Sequence, residues 1–262
     1  MKKYIIPNGL SPAERELFLT EHRESRLLER RSMPNPIKAK LYEIAPAKLR
    51  ASLNAGFAAA FALVFNKGTE LIEKTYRAEE LAFDYEVNEY ILSRRDERRS
   101  LRRMDAPAKR AGLVNGVFAA AESVGMGVFG IGVPDLPVFV AALLRGVYQT
   151  ALCYGFGYDS EEERVYILRL IRTALCPDSE RAAANAELEA GGTGEGLDAE
   201  MRLAAETLSD AVLVEKLVQC VPVVGVAGGL ASTAVFARVS ALASVKYKLR
   251  RLRLSVGRKE RA

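Results

Sequence analysis

The sequence predicts an all-α fold: a single helical domain with apolar helical hairpins broken by glycine and proline. Three observations predict it. Apolar residues recur at helical spacing behind recognisable N-caps, strand-like alternation is nowhere sustained, and Ala and Leu are abundant while Trp is absent. Apolar residues make up 49% of the 262, enough for a sizeable core and too many for a wholly disordered chain.

The chain opens as MKKYIIPNGL, a basic start whose apolar run is cut after two isoleucines by Pro7 and Gly9, so it reads as unsecreted. Ser11-Pro12-Ala13-Glu14 is a helix start: Ser as N-cap, Pro at the first helical position, and Glu placed to reach back. That helix is polar, weakly amphipathic and expected to end at Pro34 and Pro36. Residues 1–40 therefore read as an appended polar arm, 41–256 as the domain, and 257–262 as a basic tail.

A second helical region is expected from about Pro46 to Glu89. It begins with the uncharged ASLNAGFAAAFALVFN and continues through Glu70, Glu73, Glu79, Glu80, Asp84, Glu86 and Glu89. Arginine pairs come next, then a first apolar cassette from Glu122 to Gly155. Ser160 and Glu163 form another capping box, opening a helix with Val165, Leu168, Ile171 and Leu175 on one stripe that stops before Pro177. A Gly- and Glu-rich stretch reads as a flexible linker over about 179–199. Leu197, Met201, Ala204, Leu208 and Val212 then mark an amphipathic helix leading into a second cassette, Lys216 to Arg238. Cys153, Cys176 and Cys220, odd in number and set in apolar helical surroundings, read as reduced, buried thiols.

Charge is unevenly placed. Arg94 to Arg110 holds eight Lys/Arg against three acids, and Lys246 to Arg261 holds eight against Glu260 alone. The pairs Arg94/Arg95, Arg98/Arg99 and Arg102/Arg103 recur every four residues and so fall on about one half of a helix. Such a stripe is either a solvated face balanced by the acidic helix before it or a contact for anionic lipid, where each cation gains about 1 kcal/mol. Nucleic acid is disfavoured, because interleaved stacking aromatics and a recognition motif are both missing. The same two readings apply to Lys246, Lys248, Arg250 and Arg251.

No motif spells a reaction. Gly125-Met126-Gly127-Val128-Phe129-Gly130 has dinucleotide-fingerprint spacing, but it follows a helix-like segment and runs into Pro134 and Pro137. Close approach of helices explains those glycines better, and Gly225 and Gly229 likewise. The uncharged run from Leu217 to Ala237 is long enough to span a bilayer, yet Pro222 and its glycines favour a buried or interfacial hairpin. Asp135 suits an N-cap before Leu136-Pro137; buried, it would need a partner such as Arg145. An alternative makes Asp135 the centre of a lipid- or phosphate-ester hydrolase, although a lone acid lacks the second group such chemistry needs. His22 is the one histidine and has no ligating cluster around it, so neither a metal nor another cofactor is expected.

Taken in order, these motifs resemble the EcsC family, named for a protein encoded beside an ABC transporter. The resemblance covers about residues 45–253. It is carried by Gly125, Gly127, Gly130 and Gly132, then Asp135-Leu136-Pro137, Arg145, Tyr154-Gly155, the acidic turn before the next helix, Lys216, Pro222 to Gly229, and Tyr247 near Arg250. The chain departs from the family in having Pro134 where alanine is usual. The resemblance implies an all-helical bacterial protein, cytoplasmic or on the inner membrane face and associated with transport or secretion; it supplies no catalytic residue. The expected role is a non-enzymatic accessory or scaffold peripheral to the membrane, with anionic lipid or a membrane protein such as an ABC transporter as partner.

Overall fold

In the computed structural model, the described residues are 6–30, 46–94, 136–219 apart from 193 and 195, and 230–259. They form α1 (Pro12–Leu28), α2 (Ala47–Leu63), a π-helical turn (Val64–Gly68), α3 (Thr69–Glu73), α4 (Ala78–Arg94), α5 (Leu136–Cys153), α6 (Glu161–Leu175), α7 (Arg181–Ala190), α8 (Leu197–Gln219) and α9 (Leu230–Lys259). No strand occurs among them, so the fold is all-α, as the periodicity predicts.

Local chemistry sets the boundaries. At α1 both halves of the capping box form: Ser11 Oγ accepts from the Glu14 amide at 3.3 Å, and the Ser11 amide donates to Glu14 Oε2 at 2.7 Å. The helix ends at Leu28, ahead of the prolines expected to stop it. At α6 the box is half made. Ser160 Oγ accepts from the Glu163 amide at 3.2 Å, but the Glu163 carboxylate turns away to a distant partner.

The interior is built on α5, α6, α8 and α9. Helix α8 lies between α2 and α6, α9 packs on α1, α5 and α6, and α5 also meets α2 and α4. The stripe Val165, Leu168, Ile171 and Leu175 is buried, and so are Ile167 and Leu170 on the flanks, because α6 is covered on several sides. Phe139 links three helices through edge contacts, with ring centroids 5.9 Å from Phe57 and 5.2 Å from Phe236. Gly56 lets α2 approach α5, since a Cβ there would stand 2.6 Å from Leu136 Cδ1.

Two segments take a place in the packing that their composition did not announce. Within the polar arm, α1 packs along α9 and buries Ala13, Glu16 and Thr20. Within the Gly/Glu-rich stretch, residues 181–190 are helical and Leu188 is buried. The loop beyond is gripped by buried Arg169, whose Nη1 donates to the carbonyls of Glu187, Gly191 and Gly192 while Nε donates to Glu200 at 2.7 Å. Arg169 thereby pins the turn at Gly191 and Gly192, whose carbonyls satisfy the Nη1 edge of a buried guanidinium that Glu200 meets only at Nε.

Candidate functional site

Helix α9 alternates apolar and basic residues near its end, a pattern that reads as a solvated tail. The structure turns the cations inward. Lys246, 1% exposed, pairs with Glu24 of α1 and Glu189 of α7. Lys248, 4% exposed, meets Glu16 Oε1 at 2.7 Å. Arg250 holds Glu163 of α6 through two hydrogen bonds, 2.7 and 2.9 Å, and Arg251 pairs with Glu89 of α4. Arg253 reaches the second oxygen of Glu189 at 2.7 Å.

Lys246, Lys248, Arg250 and Arg251 read in the sequence as a contact for a membrane or an anionic partner; the structure pairs all four with carboxylates of other helices. The reason is desolvation: a buried ammonium or guanidinium persists only with an opposite charge beside it. The electrostatics agree. Burial raises Glu189, but Lys246 and Arg253 more than offset it and hold the carboxyl below its ordinary value. Burial likewise lowers Arg250, and the bonds from Glu163 outweigh it, leaving the guanidinium raised. Arg250 also lies over the rings of Tyr166 and Phe156, 4.1 and 4.3 Å from their centroids.

Tyr247 is fully buried and donates to Glu163 Oε1 at 2.7 Å, and burial pushes its phenol well above the usual value. Tyr154 is buried at the end of α5, and Gly155 follows with φ of 78°, placed so that a Cβ would enter the Tyr85 ring. Leu136 and Pro137 open α5, Leu136 being buried. Arg145 Nη2 donates to Thr75 O at 3.0 Å, tying α5 to the turn after α3. A second tie lies nearby: Tyr76 donates to the Tyr158 hydroxyl at 2.9 Å, and Tyr158 donates to Glu73 at 2.7 Å.

Lys216 lies on α8 and Arg94 ends α4, though their side chains are outside the described residues. Also outside are Gly125, Gly127, Gly130, Gly132, Asp135, Pro222, Gly225 and Gly229, with Arg95, Arg98, Arg99, Arg102 and Arg103. The proposed span over 217–237 crosses such residues as well. Two described stretches reach membrane-spanning length and hydropathy, Ala47–Gly68 and Leu136–Cys153, the second mostly packed inside the fold.

Composition drew no notice to two surface features. Phe83, Val87 and Tyr90, 65%, 40% and 62% exposed, lie at i, i+4 and i+7 on one face of α4. An open groove runs between the end of α2 and the start of α5, with Leu63 and Val138 nearly half exposed at its rims. The α4 spacing was legible in the sequence; the groove was not, since its walls come from segments some seventy residues apart. Among the described residues no group of three or more His, Cys, Asp or Glu is arranged to hold a metal.

The described fold is thus an all-α protein whose last helix is bound by ion pairs to four others, α1, α4, α6 and α7. The chain belongs to the EcsC protein family, whose profile matches residues 14–252, a span that begins within the first turn of α1. It is 30% identical over 142 residues to Protein EcsC of Bacillus subtilis (strain 168), a match covering 53% of this chain and 60% of that protein. No solved structure matches it.

Proposed function

We propose that the chain is a non-enzymatic accessory protein, peripheral on the cytoplasmic face of a membrane, that acts as a scaffold for a membrane partner such as an ABC transporter. The observation that carries this reading is the stripe Phe83, Val87 and Tyr90 on α4. The described part of the helix runs to Arg94, and Arg95 and the pairs Arg98/Arg99 and Arg102/Arg103 follow in sequence. Exposed aromatic and aliphatic groups that lead into a basic segment suit the interface of an anionic bilayer, where apolar burial and lipid charge act together. Acids run along α4 from Glu79 to Glu89, and Glu89 is already paired with Arg251, so contact is favoured toward the arginine end. The transporter link is supported by the family resemblance alone.

Flotation of the purified chain with vesicles, with and without anionic lipid and at low and high salt, tests the reading. Flotation that requires anionic lipid, fades in salt and weakens in Phe83→Ser/Val87→Ser is the expected result. A folded chain that stays at the bottom of the gradient under every condition would overturn it.

A further inference from the structure

The groove between α2 and α5 encloses about 400 Å³ and is open to solvent. Its walls are mostly aliphatic: Val64 and Ile72 on one side, Ala141 and Ala142 on the other, with Leu63 and Val138 along the rims. The π-helical turn Val64–Gly68 forms part of one wall, and Thr69 Oγ1 holds that turn by donating to Val64 O at 3.3 Å. Single-turn π segments inside a helix are frequent at functional sites, because the extra residue redirects side chains. Here Gly68, Ala141 and Ala142 keep the trough free of bulk.

Its charge is one-sided. Among the described residues, Lys67 and Arg145 line it and no carboxylate does. The neighbouring depression around α3 and α4 is acidic on balance, with Glu70, Glu73, Glu79 and Glu80 against Lys74 and Arg77 in its lining. Lys67 is exposed within the π turn and offers a compact cation with three donors. Arg145 is held at the wall by its bond to Thr75 O, so its charge is fixed in place. An aliphatic trough of ligand-site size whose described charged lining is Lys67 and Arg145 complements a hydrocarbon tail ending in an anion.

We propose that this groove binds a single-chain anionic amphiphile of the fatty-acid class. The tail lies along α5 against Ala141 and Ala142, and the carboxylate meets Lys67 with Arg145 beside it. This rests on residues other than the α4 stripe, so the two readings fail separately.

Calorimetric titration of the full chain with laurate, kept below its micelle concentration and without vesicles, tests it. Saturable binding near one to one is expected. Lys67→Glu, an exposed change that leaves the fold intact by circular dichroism, should weaken it at least tenfold, and Ala142→Leu should weaken it by filling the trough. Monomeric octyl glucoside, which has a tail but no charge, should bind at least tenfold more weakly than laurate. Absent saturable laurate binding, or laurate affinity unchanged in a folded Lys67→Glu variant, would overturn the proposal; so would equal affinity for the uncharged detergent. Vesicle flotation with no laurate binding would defeat this inference and leave the membrane-surface reading standing, and the reverse pattern would do the opposite.

Discussion

Arg250 closes on Glu163 with two hydrogen bonds, Nη1 to Oε1 at 2.7 Å and Nη2 to Oε2 at 2.9 Å, joining the last helix to the first turn of α6. Tyr247 donates to the same carboxylate from one turn earlier. A residue placed by sequence to close a capping box thus anchors the C-terminal helix, and two aromatic rings stack on the cation it holds.

Glu163→Ala should destabilise the fold by about 3–5 kcal/mol, the cost of leaving a largely buried guanidinium without its counter-charge. Glu163→Gln, which can still accept hydrogen bonds, should lose less. Urea denaturation of both variants against the parent checks the order. Equal losses would mean that shape rather than charge holds α9 here.

Lys248 and Glu16 form the most sequence-distant of these pairs, 232 positions apart. Lys248→Met should cost about 3 kcal/mol, because buried Glu16 then loses the ammonium 2.7 Å away. Adding Glu16→Leu to Lys248→Met should recover most of that loss. A double-mutant cycle in urea measures the coupling, and simple additivity would show that the two side chains act independently.

Gly155→Ala should lose about 2 kcal/mol or more. Its φ of 78° disfavours any side chain, and the added methyl would collide with the Tyr85 ring, whose hydroxyl donates to Glu89 at 2.8 Å. A thermal shift of several degrees downward is the expected readout.

Stability should fall at both ends of the pH scale. Glu189 has a depressed folded pKa, so its contribution is present above the ordinary value of 4.5 and is lost as pH drops through the folded value. At the alkaline end, Tyr247 is raised above its ordinary value of 10.0 and Tyr76 is pushed up to about 12, both chiefly by burial. The unfolded chain ionises these phenols first, so stability falls from about pH 10 upward. Urea midpoints measured across pH check both limbs, and Tyr247→Phe should flatten the alkaline one.

Cys153 should resist thiol reagents in the native state. Burial pushes its thiol up to about 12, which leaves little thiolate at pH 8. Labelling should proceed in urea and be slower by orders of magnitude without it; rapid native labelling would reveal an opening of α5.

The helical content was legible because its signals are local. Ser11 and Ser160 as caps, the stripe from Val165 to Leu175, and the one led by Leu197 and Met201 each rest on neighbours within a few turns, where helical periodicity operates. Phe83, Val87 and Tyr90 carried the same kind of signal, overshadowed by the acids between them. Lys246, Lys248, Arg250 and Arg251 were not legible as interior cations, because a basic run reads alike whether its partners are water, lipid or glutamates elsewhere in the chain.

The sequence by itself determined the all-α class, most helix starts, the apolar face of α6 and the family, since each depends on residue type at short spacing. The tertiary structure alone decided that α1 is part of the body, that Arg169 pins the Gly-rich loop, that the C-terminal cations face inward, and that α2 and α5 leave a cationic trough between them. Those outcomes depend on which distant side chains share a low-dielectric space, where an ion pair or a bare apolar wall has an energy that no local pattern encodes.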